Sequence, residues 1–363
     1  MAFNWQPSGY TRLEPRRARL VLAGIAVFTA FFLSSSPPPL ELDEGESSDV
    51  TRGDAALYRA ETDRIHNGEN YYRIAAEELP ARGYPTRSVF NWRTPLPMWF
   101  IGRMPTVEVG KIILCVLALA LLLLAFEVTS REELHGLPCA LPLMVLLVGP
   151  LLPCLLGNLF VMPVLWAGVL ITISVCSYSV NRPYLGAAAG LAAAFFRELA
   201  LPYCLLGAAL AWQQKRRGEL LTWLVGLAGW CVFFAWHWMH VRQLIPADAA
   251  AHREGWIQFG GARFVLSTVQ MNSYLLLLPQ WVTTAYFVAA LFGLAGWHSP
   301  LGLRAGLTVC LFVLGFSIVG QEFNRYWGLL ITPLLCFGVV RAPASLADLW
   351  RACQWTTREA AWR

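Results

Sequence analysis

The chain reads as an all-α, polytopic membrane bundle of about 9–10 spans with a long outer loop. Two observations predict this. Of 363 residues, 56% are hydrophobic and 14% are charged, and mean hydropathy is +0.49, whereas soluble domains are about one-quarter charged. The charge is also segregated: 11 of the 23 acidic residues lie between Glu41 and Glu78. A single domain over 1–363 is expected, made of the bundle and its loops.

The N-terminus carries Arg12, Arg16, Arg17 and Arg19 before the apolar run Leu20–Leu33. Ser34 to Ser36 lead into Pro37 to Pro39 without an Ala-x-Ala-like cleavage site, so this run is read as a retained first span and not as a signal peptide. Further spans are expected near 107–127, 137–156, 159–180, 219–241, 275–297, 303–320 and 325–342, each close to the roughly 20 apolar residues a crossing needs. The stretch 184–213 is too long for one span and is interrupted by Arg197-Glu198 and Pro202. Positive-inside bookkeeping puts Arg131, Asn181-Arg182 and Lys215-Arg216-Arg217 on the cytoplasmic side. The stretch between must then rise and return, with Arg197-Glu198 at its tip. Each arm is about 14 residues, or about 21 Å, so the tip should lie below the outer surface in a wet cavity. One long tilted helix is the alternative.

This count leaves both termini in the cytoplasm, with 343–363 as a cytoplasmic tail. The first outer loop (37–105), the Arg197-Glu198 tip, the loop 242–274 and the turn Gln321 to Arg325 then share the outer face. Within the first loop a helix should run from Asp54 to Gly68. Asp54, Leu57, Tyr58, Glu61 and Ile65 would share one face at 100° per residue, with Asp63 opposite. A second helix is expected from Asn70 to Ala81. Its Tyr71-Tyr72 start, like Trp92 beyond it, suits a membrane interface.

Several chemistries find no support. The basic residues gather at span ends, so no nucleic-acid surface is expected. The nine cysteines (Cys115, Cys139, Cys154, Cys176, Cys204, Cys231, Cys310, Cys336 and Cys353) fall in apolar spans or the tail without CxxC or Cys/His spacing, and read as small buried hydrophobes. His237 and His240 could ligate a metal, but Trp236 and Trp238 beside them favour an interfacial aromatic belt. No cofactor is predicted, and a divalent-metal requirement stays open. Charges at membrane depth usually mark a pathway or a pair, which makes Arg197 and Glu198 candidates for function. Glu322 and Arg325 open the last span, where the planar fork of an arginine suits phosphate or simply snorkels.

A short first span, an acidic outer loop and a multi-span bundle together resemble the GT-C superfamily of membrane glycosyltransferases. The strings DAALYRAETDRIHNGENYYRIAAEELPARGYPTRSVFNWRTP (54–95), FFRELALPY (195–203) and EFNRYWGLLITP (322–333) resemble a bacterial group of family 87-like membrane proteins. The resemblance implies a polyprenyl-phosphate sugar donor, a glycan, lipid or protein acceptor, and contact with membrane lipid. It also implies a carboxylate base in the first outer loop. Asp54 matches that position best, with Asp49 and Asp63 as rivals. Tyr58, Glu61, Arg64, Tyr71, Tyr72, Arg93, Arg197, Glu198, Glu322 and Arg325 are the candidates for substrate contact. A transporter or flippase of lipid-linked saccharides, or a non-catalytic relative, is the alternative.

Overall fold

The computed structural model describes residues 6–35, 53–132, 140–251 and 255–359. They form an all-α structure, with a single isolated antiparallel bridge between Ile257 and Val319. Asp49, Cys139, Arg363 and most of the start of the first loop lie outside these residues.

The helices are α1 Pro15–Ser34, α2 Asp54–His66, α3 Tyr71–Ala81, α4 Leu96–Gly102, α5 Val107–Glu132, α6 Ala140–Leu151, α7 Pro163–Ser179, α8 Pro183–Phe196, α9 Leu201–Gln213, α10 Arg217–Leu244, α11 Gly261–Val269, α12 Ser273–Leu276, α13 Gln280–Ala295, α14 Pro300–Ile318 and α15 Thr332–Glu359. Four of them, α1, α5, α10 and α14, are long and apolar enough to cross a bilayer. A fifth span results if the 3₁₀ segment Glu322–Leu330 and α15, bent by 66°, count as one. Shorter apolar helices occupy 140–154, 163–179, 183–196 and 280–295.

Side-chain patterning explains which helix sits where. In α5 the buried positions Gly110, Leu114, Ala118, Leu121, Ala125 and Val128 recur every three or four residues. Ile112, Val116, Leu119 and Leu123 between them are more than half exposed, a pattern that suits a lipid-facing helix. By contrast α7 is buried on every side from Pro163 to Tyr178, so it is the central helix. Small residues set the closest approaches. A Cβ at Gly168 would lie 2.1 Å from the Leu329 carbonyl oxygen, and one at Gly293 would lie 1.9 Å from that of Gly338. Such contacts let α7 meet the 3₁₀ segment, and α13 meet α15, backbone to backbone.

The stretch 184–213 is a hairpin. Pro202 has no N–H and would clash with the carbonyl four residues back, so α8 cannot continue through it. The chain instead turns at Arg197, which is extended (φ −147°, ψ 116°), followed by a 3₁₀ turn at Glu198–Ala200. The returning Cys204 thiol donates to the Gly190 carbonyl at 3.2 Å, seven residues on either side of Arg197. Trp223 of α10 clamps both arms: a Cβ at Gly190 or Gly207 would come within 2.5 Å of its ring.

Polar contacts divide into two ends of the bundle. At one end the Ser8 amide donates to Asp348 at 2.8 Å, Gly9 to the Gly296 carbonyl at 3.0 Å, and Trp297 to Glu132 at 3.3 Å. At the other, Arg59 meets Glu108 at 2.8 Å, Arg87 donates to the Ala250 carbonyl at 3.1 Å, and Gln258 to that of Ile318 at 3.1 Å. The first loop and the hairpin tip share that second end.

Three boundaries differ from the expectation. Helix α6 stops at Leu151, near Pro150 and Pro153, and gives way to a 3₁₀ turn at Leu152–Cys154. The span expected at 275–297 is split, with α12 ending before Pro279 and α13 starting at Gln280. The tail expected from 343 is helical to Glu359, Pro343 included, because Leu349 and Cys353 pack on Ala18 of α1.

Candidate functional site

Helix α2 presents the predicted face: Leu57, Tyr58, Glu61 and Ile65 are buried. Asp63 points away, paired with Arg59 at 2.9 Å. Asp54 is the first helical residue, preceded by Gly53 at φ 86°. Among the described residues no helix N–H donates a hydrogen bond to its carboxylate. Instead Oδ1 accepts the Tyr84 hydroxyl at 2.7 Å.

One turn on, the buried Tyr58 hydroxyl accepts Arg93 Nε at 2.8 Å. Arg93 Nη1 donates to the Phe90 carbonyl at 3.0 Å and to Glu198 Oε1 at 3.2 Å. The same Glu198 oxygen lies 3.4 Å from Arg197 Nη1. Tyr71 fixes this segment by donating to the Arg93 carbonyl. One carboxylate therefore serves two guanidiniums. Burial works against the Arg93 charge, but Tyr58, Tyr326, Glu198 and Asp54 outweigh it and hold the group protonated. Burial raises the Tyr58 hydroxyl well above the usual phenol range, although the charge of Arg93 opposes this.

The cluster is incompletely satisfied. Arg197 is 2% exposed, yet its Nε and Nη2 have no hydrogen-bond partner, nor do the Tyr326 hydroxyl and Glu61 Oε2. Buried groups of this kind are normally paired, and exceptions ask for an explanation such as a ligand or water. Glu61 lies on the same helix face as Asp54. Burial is the main cause that pushes its carboxyl up to about 8, with Arg93 opposing it.

The remaining candidates lie elsewhere. Arg64 is bound to Glu69 at 2.6 Å, Glu77 at 2.6 Å and Glu78 at 3.1 Å, so it clips α2 to α3 and offers nothing to a substrate. Tyr71, Tyr72 and Trp92 are buried; the interface expected of them is replaced by packing between the loop and α10. His237 is likewise fully buried and does not belong to a membrane belt. Its Nε2 donates to the Trp92 carbonyl and its Nδ1 accepts from Tyr72, both at 3.1 Å. Glu322 and Arg325 are exposed, and no hydrogen bond or ion pair links them to the cluster among the described residues. The segment is 3₁₀, and Asn324, Trp327 and Leu330 form its buried stripe at a spacing of three. Tyr326 of this segment lies near enough to Arg93 and Tyr58 to act on both electrostatically. Tyr84 and Tyr326 are the residues that reading the sequence missed; neither has a charge or a motif to single it out.

No group of three His, Cys, Asp or Glu side chains able to hold a metal occurs among the described residues. No protein-family model, curated protein or solved structure matches this chain.

Proposed function

We propose that this chain is an integral membrane glycosyltransferase of GT-C architecture, multi-pass in a bacterial inner membrane with both termini cytoplasmic. It moves a sugar from a polyprenyl-phosphate donor to a hydroxyl acceptor at the outer face. The observation that carries this reading is the set of unpartnered buried donors, Arg197 Nε and Nη2 and the Tyr326 hydroxyl. They stand in one cluster with a loop carboxylate, in a region fed by α2, the 89–93 segment, the hairpin tip and the 3₁₀ segment.

The chemistry follows from the parts. The acceptor oxygen attacks C1 of the donor sugar and passes its proton to Asp54, whose Oδ1 is oriented by Tyr84. The bond from C1 to the phosphate oxygen breaks, and the charge left on polyprenyl phosphate is taken up by Arg197, with Arg93 behind it. Preformed donors in a dry site stabilise developing charge without reorganising, and the arginine fork matches a phosphate. A hairpin tip below the outer surface suits a lipid donor that enters sideways from the bilayer.

The test uses the full chain in proteoliposomes supplied with radiolabelled polyprenyl-phosphate sugars and a cell-envelope acceptor fraction. The reading predicts transfer by the wild type and its loss in Asp54→Asn with unchanged folding. Transfer that survives Asp54→Asn removes the base. Flux of the intact lipid-linked sugar between leaflets without transfer favours the transporter reading.

A further inference from the structure

A second site lies beside the cluster, where α3 packs on the last turns of α10. It is a groove of about 450 Å³, within the roughly 300–1,000 Å³ range of small-molecule sites. Its walls are aromatic. Tyr72 stacks on His240 at 4.9 Å and 15°, and Trp99 tilts against Trp236 at 5.7 Å and 50°. These rings are fixed in place: the hydroxyl of Tyr72 is held by His237, whose other nitrogen is held by Trp92.

The rest of the lining is polar and largely uncommitted. Asn70 spends its carbonyl oxygen on the Tyr72 amide, which leaves its NH₂ free to donate. Gln243 is exposed and has no partner among the described residues. The two lining charges, Arg73 and Glu77, pair with each other at 3.2 Å. The lining itself therefore offers rings and amides and no unpaired cation; the cation beside it, Arg103, lies over the Trp99 ring at 5.3 Å. An anionic lipid headgroup would be drawn to unpaired lysines or arginines, and a lipid tail would not need the polar rim. A neutral polyhydroxylated ring fits both halves: its C–H face lies on an aromatic plane, and its hydroxyls bond with Asn, Gln and the ion pair.

We propose that this groove binds a neutral glycan, which makes the acceptor of the transfer a saccharide. The inference rests on the function proposed above, and the two are joined through one short segment: the Trp92 carbonyl holds His237 under the groove, while Arg93 enters the ion cluster.

Binding is measured without transfer. The full chain in lipid nanodiscs is titrated with neutral tetrasaccharides of glucose, mannose, galactose and N-acetylglucosamine, and read by saturation-transfer NMR and tryptophan fluorescence. At least one should bind. Trp99→Ala and Gln243→Ala should each weaken it by roughly tenfold, about 1.4 kcal/mol. Gln243 is exposed, so its variant keeps the test valid if Trp99→Ala fails to fold. No binding by any of the four, or binding indifferent to both groove variants, overturns the proposal. So does protection of the groove tryptophans by anionic lipid in place of sugar. Glycan binding in a chain that shows no transfer would leave the groove standing and sink the transferase. Transfer unaffected by the groove variants would do the reverse.

Discussion

Two buried arginine–glutamate groups sit at opposite ends of the bundle, and they are built differently. Arg304 and Glu219 are 4% and 3% exposed, 3.8 Å apart. The Arg304 guanidinium lies 3.4 Å over the ring of Tyr178, whose hydroxyl accepts from Trp223 at 3.1 Å. Arg216 adds a second cation to Glu219 at 3.5 Å. Aromatic rings thus cover this pair and tie α7, α10 and α14 together. Arg197 shares its carboxylate in the same way, with Arg93, and both groups hold unpartnered atoms, Arg197 Nε and Nη2 at one end and Arg304 Nη1 and Glu219 Oε1 at the other. What differs is the covering, since no ring lies over Arg197 among the described residues. A ring over the guanidinium closes the first pair to a ligand, and on the function proposed above its absence leaves Arg197 open to one. Burial of charge alone would not separate the two.

The comparison breaks outright if the two ends do not face opposite sides of a membrane. Cysteines placed at Ser88 and Gly260 should label completely with an impermeant thiol reagent from outside, and one at Gly218 should not label. Labelling at Gly218 would reverse the orientation of the hairpin.

Substitutions come next in size. Asp54→Asn should lower transfer by roughly 10²–10⁴-fold, the usual worth of a positioned base, with no change in thermal unfolding. At the locked end Glu219→Ala should cost about 3–5 kcal/mol, because it leaves Arg304 buried without its carboxylate. A Glu219→Gln, Arg304→Met double variant should recover most of that. Arg197→Met should do the opposite: transfer is lost, while the melting temperature in detergent holds or rises, since an unsatisfied buried charge is removed. A large loss of stability in Arg197→Met would make that group a lock too.

A smaller effect concerns pH. Burial raises the Glu61 carboxyl from 4.5 to about 8 in the folded chain, so between those values the native state holds a proton that the unfolded chain releases. Stability from this group is therefore fully present below about 4.5 and declines as pH rises toward 8. Glu61→Gln should flatten the melting-temperature profile across pH 5–8 and be the more stable form at pH 8. An unchanged slope would mean that Glu61 is hydrated.

Much of the architecture was legible because it depends on composition and on what proline forbids. The short arms around Arg197, the Pro202 break and the α2 face from Asp54 to Ile65 all follow from periods of 3.6 residues and from charge at depth. What stayed hidden depends on tertiary contact. Tyr71 and Tyr72 resemble interfacial residues until α10 covers them, and His237 resembles a belt residue until Trp92 and Tyr72 claim both of its nitrogens. The 322–330 segment is a 3₁₀ turn where an α-helical span is expected, and its side chain that acts on Arg93 is Tyr326, which has neither charge nor motif to single it out. Tyr84 comes from a turn beyond Gly83 (φ 76°), and nothing local in the sequence aims it at Asp54.

The central claim is that the uncovered arginine at the hairpin tip awaits a phosphate. A cryo-EM structure of Asp54→Asn in nanodiscs containing a polyprenyl-phosphate sugar tests it most directly. The account predicts phosphate density about 3 Å from Arg197 Nη2, with the sugar directed toward residue 54. A lipid phosphate bound elsewhere, with Arg197 still facing only Glu198, would contradict it.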